Sequence, residues 1–174
     1  VQYHEVYGFS LNIRDIDAQY TLGERAKKRQ EILQKLMDDG VFEMNKELSL
    51  PTVPQRIAVI SSKTAAGFGD FMDQLTTNEF GYQFKVQLFQ STMQGDQAAA
   101  SIISSMHQVF DGIDDFDVLV IIRGGGASLD LDCFDSYELG SHIAQFPLPV
   151  VTGIGHKRDE TVADMVAHTK IKTP

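Results

Sequence analysis

Positive charge is scarce in this chain. Its 174 residues carry 15 lysines and arginines against 24 acids, a formal charge of -9. No stretch gathers the basic residues into the kind of arm that grips nucleic acid unaided. A polyanionic ligand must therefore be met by a few local cations. Cysteine is nearly absent as well: Cys133 stands alone, which excludes an internal disulfide and suits a reducing compartment, so a cytoplasmic location is expected. No apolar run approaches the roughly 18 residues of a membrane-spanning helix, and no charged-then-apolar signal segment opens the sequence. No membrane partner is expected. Neither G-x-G-x-x-G nor GxxxxGK(S/T) occurs, and "GGGASL" and "GFGDFM" both fall short of the first. A dinucleotide site of the usual kind therefore ranks well below a phosphodiester site. There is no internal repeat and no low-complexity tract.

What is present is a chain that is 43% hydrophobic, enough for a single core. Residues 5 to 16, "EVYGFSLNIRDI", alternate and predict one strand with no obvious partner. Residues 21 to 38 show a helical pattern with Thr21 as N-cap and Gly40 as stop. A two-proline stretch, "NKELSLPTVPQ", then leads to the body. From residue 56 strands and helices alternate, with strands predicted over "RIAVISS", "YQFKVQLFQS", "DVLVIIR" and "PVVTGIG". Helices of ten or more residues between strands require parallel crossovers. The expected fold class is therefore α/β: an open, mainly parallel sheet with flanking helices in Rossmann-like layers, preceded by a leader strand and a linker helix. Ile102, Ile103, Met106 and Phe110 are expected to form the buried face of one flanking helix.

Open parallel sheets bind ligands beyond the carboxyl ends of their strands. Four polar or glycine-rich turns fall there: "SSKTAAGFGD", "STMQGD", "RGGGASLD" and "GIGHKRDE". In the third, Gly124, Gly125 and Gly126 bring backbone N–H groups close to an anion, and Arg123 adds a planar fork of donors. The competing reading is a tight strand-to-helix turn. Ser61 and Ser62 in the first turn and Gly155 in the last are candidate phosphate contacts at the same edge. His156 and Asp159 stand three residues apart, a spacing that shares one face of a starting helix. They form the acid–base candidate, since a carboxylate fixes the histidine tautomer and raises its basicity. A capping or surface histidine is the alternative. Asp130, Asp132 and Asp135 invite a metal-site reading, but acids in a first helical turn more often complement its dipole, so no metal site is expected.

Taken together, "PQRIAVISS…GD", "MQGDQAA", "DVLVIIRGGGASLDL" and "PVVTGIGHKRDETVADMVA" closely resemble, in order and spacing, the catalytic domain of the exodeoxyribonuclease VII large-subunit family. The resemblance implies three parts: residues 1–20 as the last strand of an N-terminal OB-fold, 21–50 as linker helix and loop, and 51–174 as the catalytic domain. "KIKTP" looks like the point where the family continues into long helices that bind several small subunits.

The implied activity is cleavage of single-stranded DNA from either end to release short oligonucleotides. The implied catalytic positions are Asp70, Arg123, His156 and Asp159. No cofactor is required by the resemblance, and magnesium stimulates some members. The sequence departs from the family pattern at Ala127, commonly serine, with Ser128 its potential substitute. It also departs at Asp132, often tryptophan, at Lys157, frequently glutamate, and at Gly69, often basic. Two other functions fit the same turns: a phosphate-binding module that does not cut, and a small-molecule phosphohydrolase.

Overall fold

The computed structural model describes residues 2–4, 8–10, 18–124, 128–155 and 160–171. Two short strands open the chain, β1 (Gln2–His4) and β2 (Gly8–Ser10), paired antiparallel with Tyr3 opposite Phe9. The expected single strand over 5–16 is thus replaced, in its described part, by a three-residue strand whose partner lies just upstream. Helix α1 spans Ala18–Asp38. It starts ahead of the expected N-cap, so Thr21 lies inside the helix. Its end is as predicted: Gly40 adopts φ +73°, Val41 N donates to Leu36 O, and Gly40 N donates to Met37 O. This is a Schellman closure, in which only a residue free of a Cβ takes the left-handed position cheaply.

The body follows as β3 (Arg56–Ser61), α2 (Ala66–Thr76), β4 (Lys85–Gln90), α3 (Ala98–Asp111), β5 (Val118–Ile122), α4 (Tyr137–Ala144), β6 (Val150–Gly153), α5 (Val162–Val166) and β7 (Thr169–Lys170). A single 3-10 turn at Ile113–Asp115 and a seven-residue 3-10 helix at Ser128–Phe134 flank β5. The sheet order is β4-β3-β5-β6-β7 and every pairing is parallel. The fold is α/β, as expected, with a fifth strand that sequence reading overlooked. Strand β7 has only two residues, too short to show any alternation.

Both faces of the sheet are covered, which is why its strands read as apolar runs instead of alternating ones. Ile57, Val59, Val118, Val120 and Ile122 meet Phe68, Phe71 and Leu75 of α2 on one face. On the other, Ala58, Ile60, Leu119, Ile121 and Val150 pack with α3, α4, α5 and Leu36 of α1. Each fully buried leucine or isoleucine stabilises the fold by about 1.5–3 kcal/mol. The buried face of α3 is Ile102, Ile103, Met106 and Val109, while Phe110 is 55% exposed. The expectation for Phe110 fails because Val109, seven residues beyond Ile102, continues the stripe and turns Phe110 out by about 100°.

The start of the two-proline stretch is also part of the core. Asn45 is fully buried. Its Nδ2 donates to Phe146 O (2.9 Å) and Leu148 O (3.0 Å), and its Oδ1 accepts from Val150 N (2.8 Å) and His168 N (3.1 Å). One amide thereby satisfies four backbone groups on the way into β6 and β7.

Candidate active site

Strand order creates the site. After β3 the chain moves outward through α2 to β4 at the sheet edge, then crosses back to β5 on the other side of β3. The connections leaving β3 and β5 therefore diverge onto opposite faces and open a crevice between their carboxyl ends. A cleft of about 730 Å³ lies there. Three strand ends build it: Ser62, Thr64, Ala65 and Ala66 after β3; Gln90 to Gln94 at the end of β4, backed by Ser101; Arg123 and Gly124 after β5.

A ladder of hydrogen bonds holds these ends in place. Ser91 N donates to Ser61 O (2.9 Å), and Ser61 Oγ donates to Ile122 O (2.8 Å). Arg123 N then donates to Gly153 O (3.0 Å). The turn after β4 is fixed to α3 by Ser91 Oγ donating to Ser101 O (3.0 Å), a Ser91–Ser105 hydroxyl pair at 2.7 Å, and Thr92 N donating to Ser101 Oγ (3.0 Å). These serines are buried or half-buried and mutually satisfied, so the cleft is formed before any ligand arrives.

Two close approaches set its width. A Cβ on Gly67 would lie 2.9 Å from Arg123 O, and one on Gly124 would lie 3.0 Å from Ala65 Cβ and 3.1 Å from Ala66 N. The N-terminus of α2 is thus pressed against the segment that carries Arg123. That helix has Ala65 at its N-cap with no side-chain cap bond. Its positive dipole end, at Ala65 and Ala66, consequently meets the cleft with no N-cap side-chain oxygen bonded to it. Arg123 is 5% exposed overall. Among the described residues that line the cleft it is the only charged one, in a chain of net charge -9.

The sequence-predicted site residues fall into three groups. Arg123, Gly124 and Ser62 line the cleft. Ser61 lies beneath it, fully buried, its hydroxyl joining β3 to β5. Asp70 stands on the second turn of α2, exposed and outside the lining, and Gly155 is buried beyond the end of β6. Gly125, Gly126, His156 and Asp159 lie outside the described residues, as do Ala127 and Lys157. Helix α5 begins only at Val162, after both His156 and Asp159, so the shared face of a starting helix does not belong to α5.

The chain beyond that pair is firmly anchored. Thr161 and Asp164 form a reciprocal capping box, Thr152 Oγ1 donates to Asp164 Oδ1 (2.7 Å), and Val162 N donates to Asp135 Oδ1 (2.8 Å). Asp135 also receives Arg29 Nη2 at 2.6 Å, and Asp132 receives Arg25 Nη2 at 2.8 Å. These two acids therefore join α1 to the body, and Asp135 complements a helix N-terminus, that of α5. Among the described residues no group of three or more histidine, cysteine, aspartate or glutamate side chains could hold a metal ion.

Sequence reading missed two walls of the cleft. The uncapped start of α2 was hidden because an alanine N-cap looks like any helical alanine. The Gln90–Gln94 wall did leave a signal, the polar turn "STMQGD" after a strand, but its residues 91–94 are uncharged and carry no local pattern that assigns them a role.

Comparison with known proteins gives a consistent picture. The family described as "Exonuclease VII, large subunit" matches residues 41–174. A protein of Deinococcus radiodurans named "Exodeoxyribonuclease 7 large subunit" is 38% identical over 99% of the chain. Proteins of the same name from Acaryochloris marina and Nostoc sp. are each 39% identical, over 87% and 88% of the chain. The chain spans 42% of the first of these relatives and 36% of each of the other two.

Proposed function

Because the chain belongs to the exonuclease VII large-subunit family, we propose that it forms the catalytic α/β portion of an exodeoxyribonuclease. Its substrate in this reading is single-stranded DNA, cut from either end to short oligonucleotides. The observation that carries the proposal is the described cleft lining: a guanidinium, a helix N-terminus without a side-chain cap and, among the described residues, no carboxylate, at the switch point of an acidic protein. Among the described residues of the lining there is no acid, which suits a phosphodiester.

Hydrolysis of that diester needs charge stabilisation on the non-bridging oxygens, an activated water, and a proton for the departing sugar oxygen. Arg123, the α2 N-terminus and the N–H groups of Gly124 to Gly126 hold the phosphate. His156 handles the proton as general acid or base, and Asp159 orients it. Magnesium acts as a stimulant in this reading and no resident cofactor is required. The partners are single-stranded DNA and several small subunits, bound through a helical region beyond this chain, in the cytoplasm. No described helix is long and apolar enough to cross a membrane.

The test is incubation of the full-length large subunit, assembled with its small subunits, with end-labelled single-stranded DNA, with and without chelator. Arg123→Ala is expected to reduce turnover by on the order of a hundredfold, the scale of losing one preorganised donor, with the melting temperature retained. Near-normal turnover would remove Arg123 from the mechanism. An oligonucleotide left intact by the wild type would favour a binding module, and turnover of mononucleotides a phosphohydrolase.

A further inference from the structure

We propose that the wall formed by the end of β4 is a nucleobase subsite, in which Gln94, with Gln90 and Thr92, hydrogen-bonds the base adjacent to the phosphate held at Arg123. The inference rests on the proposed nuclease reading and concerns a part of the cleft that the phosphate-binding groups leave unexplained. The cleft, at about 730 Å³, is of a size that takes a whole small-molecule ligand. Among the described residues of the lining Arg123 is the one charged side chain, whereas the part of the lining supplied by the end of β4 is neutral throughout. That neutral part suits the uncharged portion of a nucleotide.

The chemistry of the wall distinguishes sugar from base. Gln90, Thr92 and Gln94 are exposed into the cleft, and none of the three carries charge. A glutamine amide presents two donors and an acceptor on one planar end. Deoxyribose inside a strand offers acceptor oxygens only, which leaves the amide acceptor unmatched. Base edges offer donors and acceptors side by side, and glutamine pairs with them through both. Long, rotatable glutamine side chains also adapt to any of the four bases, as an enzyme that degrades strands of any sequence needs.

The backbone beneath them is rigid where the side chains are not. Ser91 is 5% and Met93 5% exposed, and Thr92 N is bonded to Ser101 Oγ. The chain then turns at Gly95, φ +78°, a conformation that suits glycine and holds Gln94 at the end of the wall. The wall is therefore positioned by backbone and serine contacts with α3 and β3, none of which uses the side chains of Gln90, Thr92 or Gln94, so those side chains can be tested without disturbing Arg123.

The experiment uses the full-length large subunit with its small subunits, oligothymidylate as substrate, and an abasic deoxyribose-phosphate strand of equal length as competitor. Gln94→Ala is expected to raise KM for oligothymidylate about 3- to 10-fold, the value of one or two net hydrogen bonds, with kcat within about twofold. It should leave the inhibition constant of the abasic strand unchanged. Gln87→Ala, exposed on β4 but outside the cleft, should alter neither. An unchanged KM in Gln94→Ala, or an equal loss of affinity for both strands, overturns the base subsite while leaving the nuclease reading intact. Failure of the wild type to cut oligothymidylate overturns both.

Discussion

At the scale of single residues, two glycines of one helix have opposite roles. Gly67 faces the sheet, where an added Cβ would meet the backbone oxygen of Arg123 at 2.9 Å and Ile122 Cγ2 at 3.3 Å; Gly69 has nothing within 4 Å of such an atom. Alanine in a helix gains up to about 1 kcal/mol over glycine, whereas overpacking against backbone costs about 1–3 kcal/mol. Gly69→Ala is therefore expected to raise stability by about 0.5–1 kcal/mol with activity retained. Gly67→Ala should lower stability and reduce turnover at least about tenfold, because it forces the α2 N-terminus away from Arg123 and misplacement of catalytic groups by about an ångström is that costly. Thermal melts and single-strand cleavage on the pair of variants would check this. Equal stabilisation by both would show that α2 does not press on the β5 end.

Among the secondary-structure elements, the opposite end of the sheet depends on one ion pair. Asp117, just before β5, accepts Arg56 Nε (3.0 Å) and Nη2 (2.6 Å) at Oδ1, and at Oδ2 the backbone N–H groups of Gln55 (2.9 Å) and Arg56 (2.8 Å). Arg56 also donates to Asp114 O at 2.7 Å. The Arg56 side-chain hydrogen bond holds the Asp117 carboxyl below the ordinary carboxylate value; burial opposes this, and the two backbone N–H groups reinforce it. A depressed carboxyl stabilises the fold at pH above its unfolded value, about 3.9. That contribution is lost as the pH falls below this value and through the lower folded one. Asp117→Ala is accordingly expected to cost about 1–2 kcal/mol at pH 7, allowing for solvent screening of the exposed side. The deficit against wild type should shrink as the pH is taken below about 4. Denaturant melts at pH 7 and pH 3 measure it, and a deficit independent of pH would show that the charge on Asp117 does not matter.

For the whole molecule, charge sets the limit. Affinity for a nucleic-acid backbone grows with the number of lysines and arginines that neutralise successive phosphates, and this chain carries a net -9 with one cation among the described residues of its cleft. On the proposed reading, in which an N-terminal OB-fold gives the full-length large subunit stacking platforms and a basic groove, residues 1–174 by themselves are expected to bind single-stranded DNA at least about tenfold more weakly than the full-length protein at matched moderate salt. Fluorescence anisotropy with a labelled oligonucleotide decides this, and equal affinities would place the main binding surface within these residues.

The sequence by itself determined the layers and the edge at which ligands collect. Long apolar strands separated by helices admit little besides a parallel sheet, and the polar turns mark its carboxyl ends. Arg123 and Gly124 were legible because the reason for them is local: a guanidinium and a Cβ-free residue directly after a strand. Tertiary structure decided what shares the cleft with them. Which strand ends adjoin depends on the crossover from β4 back past β3, and no local pattern records that. It brings the neutral wall Gln90–Gln94 opposite Arg123 and places Asp70 on the outside of α2. It also gives Asn45, in a stretch that reads as linker, four backbone partners up to 123 residues away in the chain, and turns Phe110 to solvent in favour of Val109. Burial and partnership at these positions arise from packing between distant segments, which periodicity within one segment does not encode.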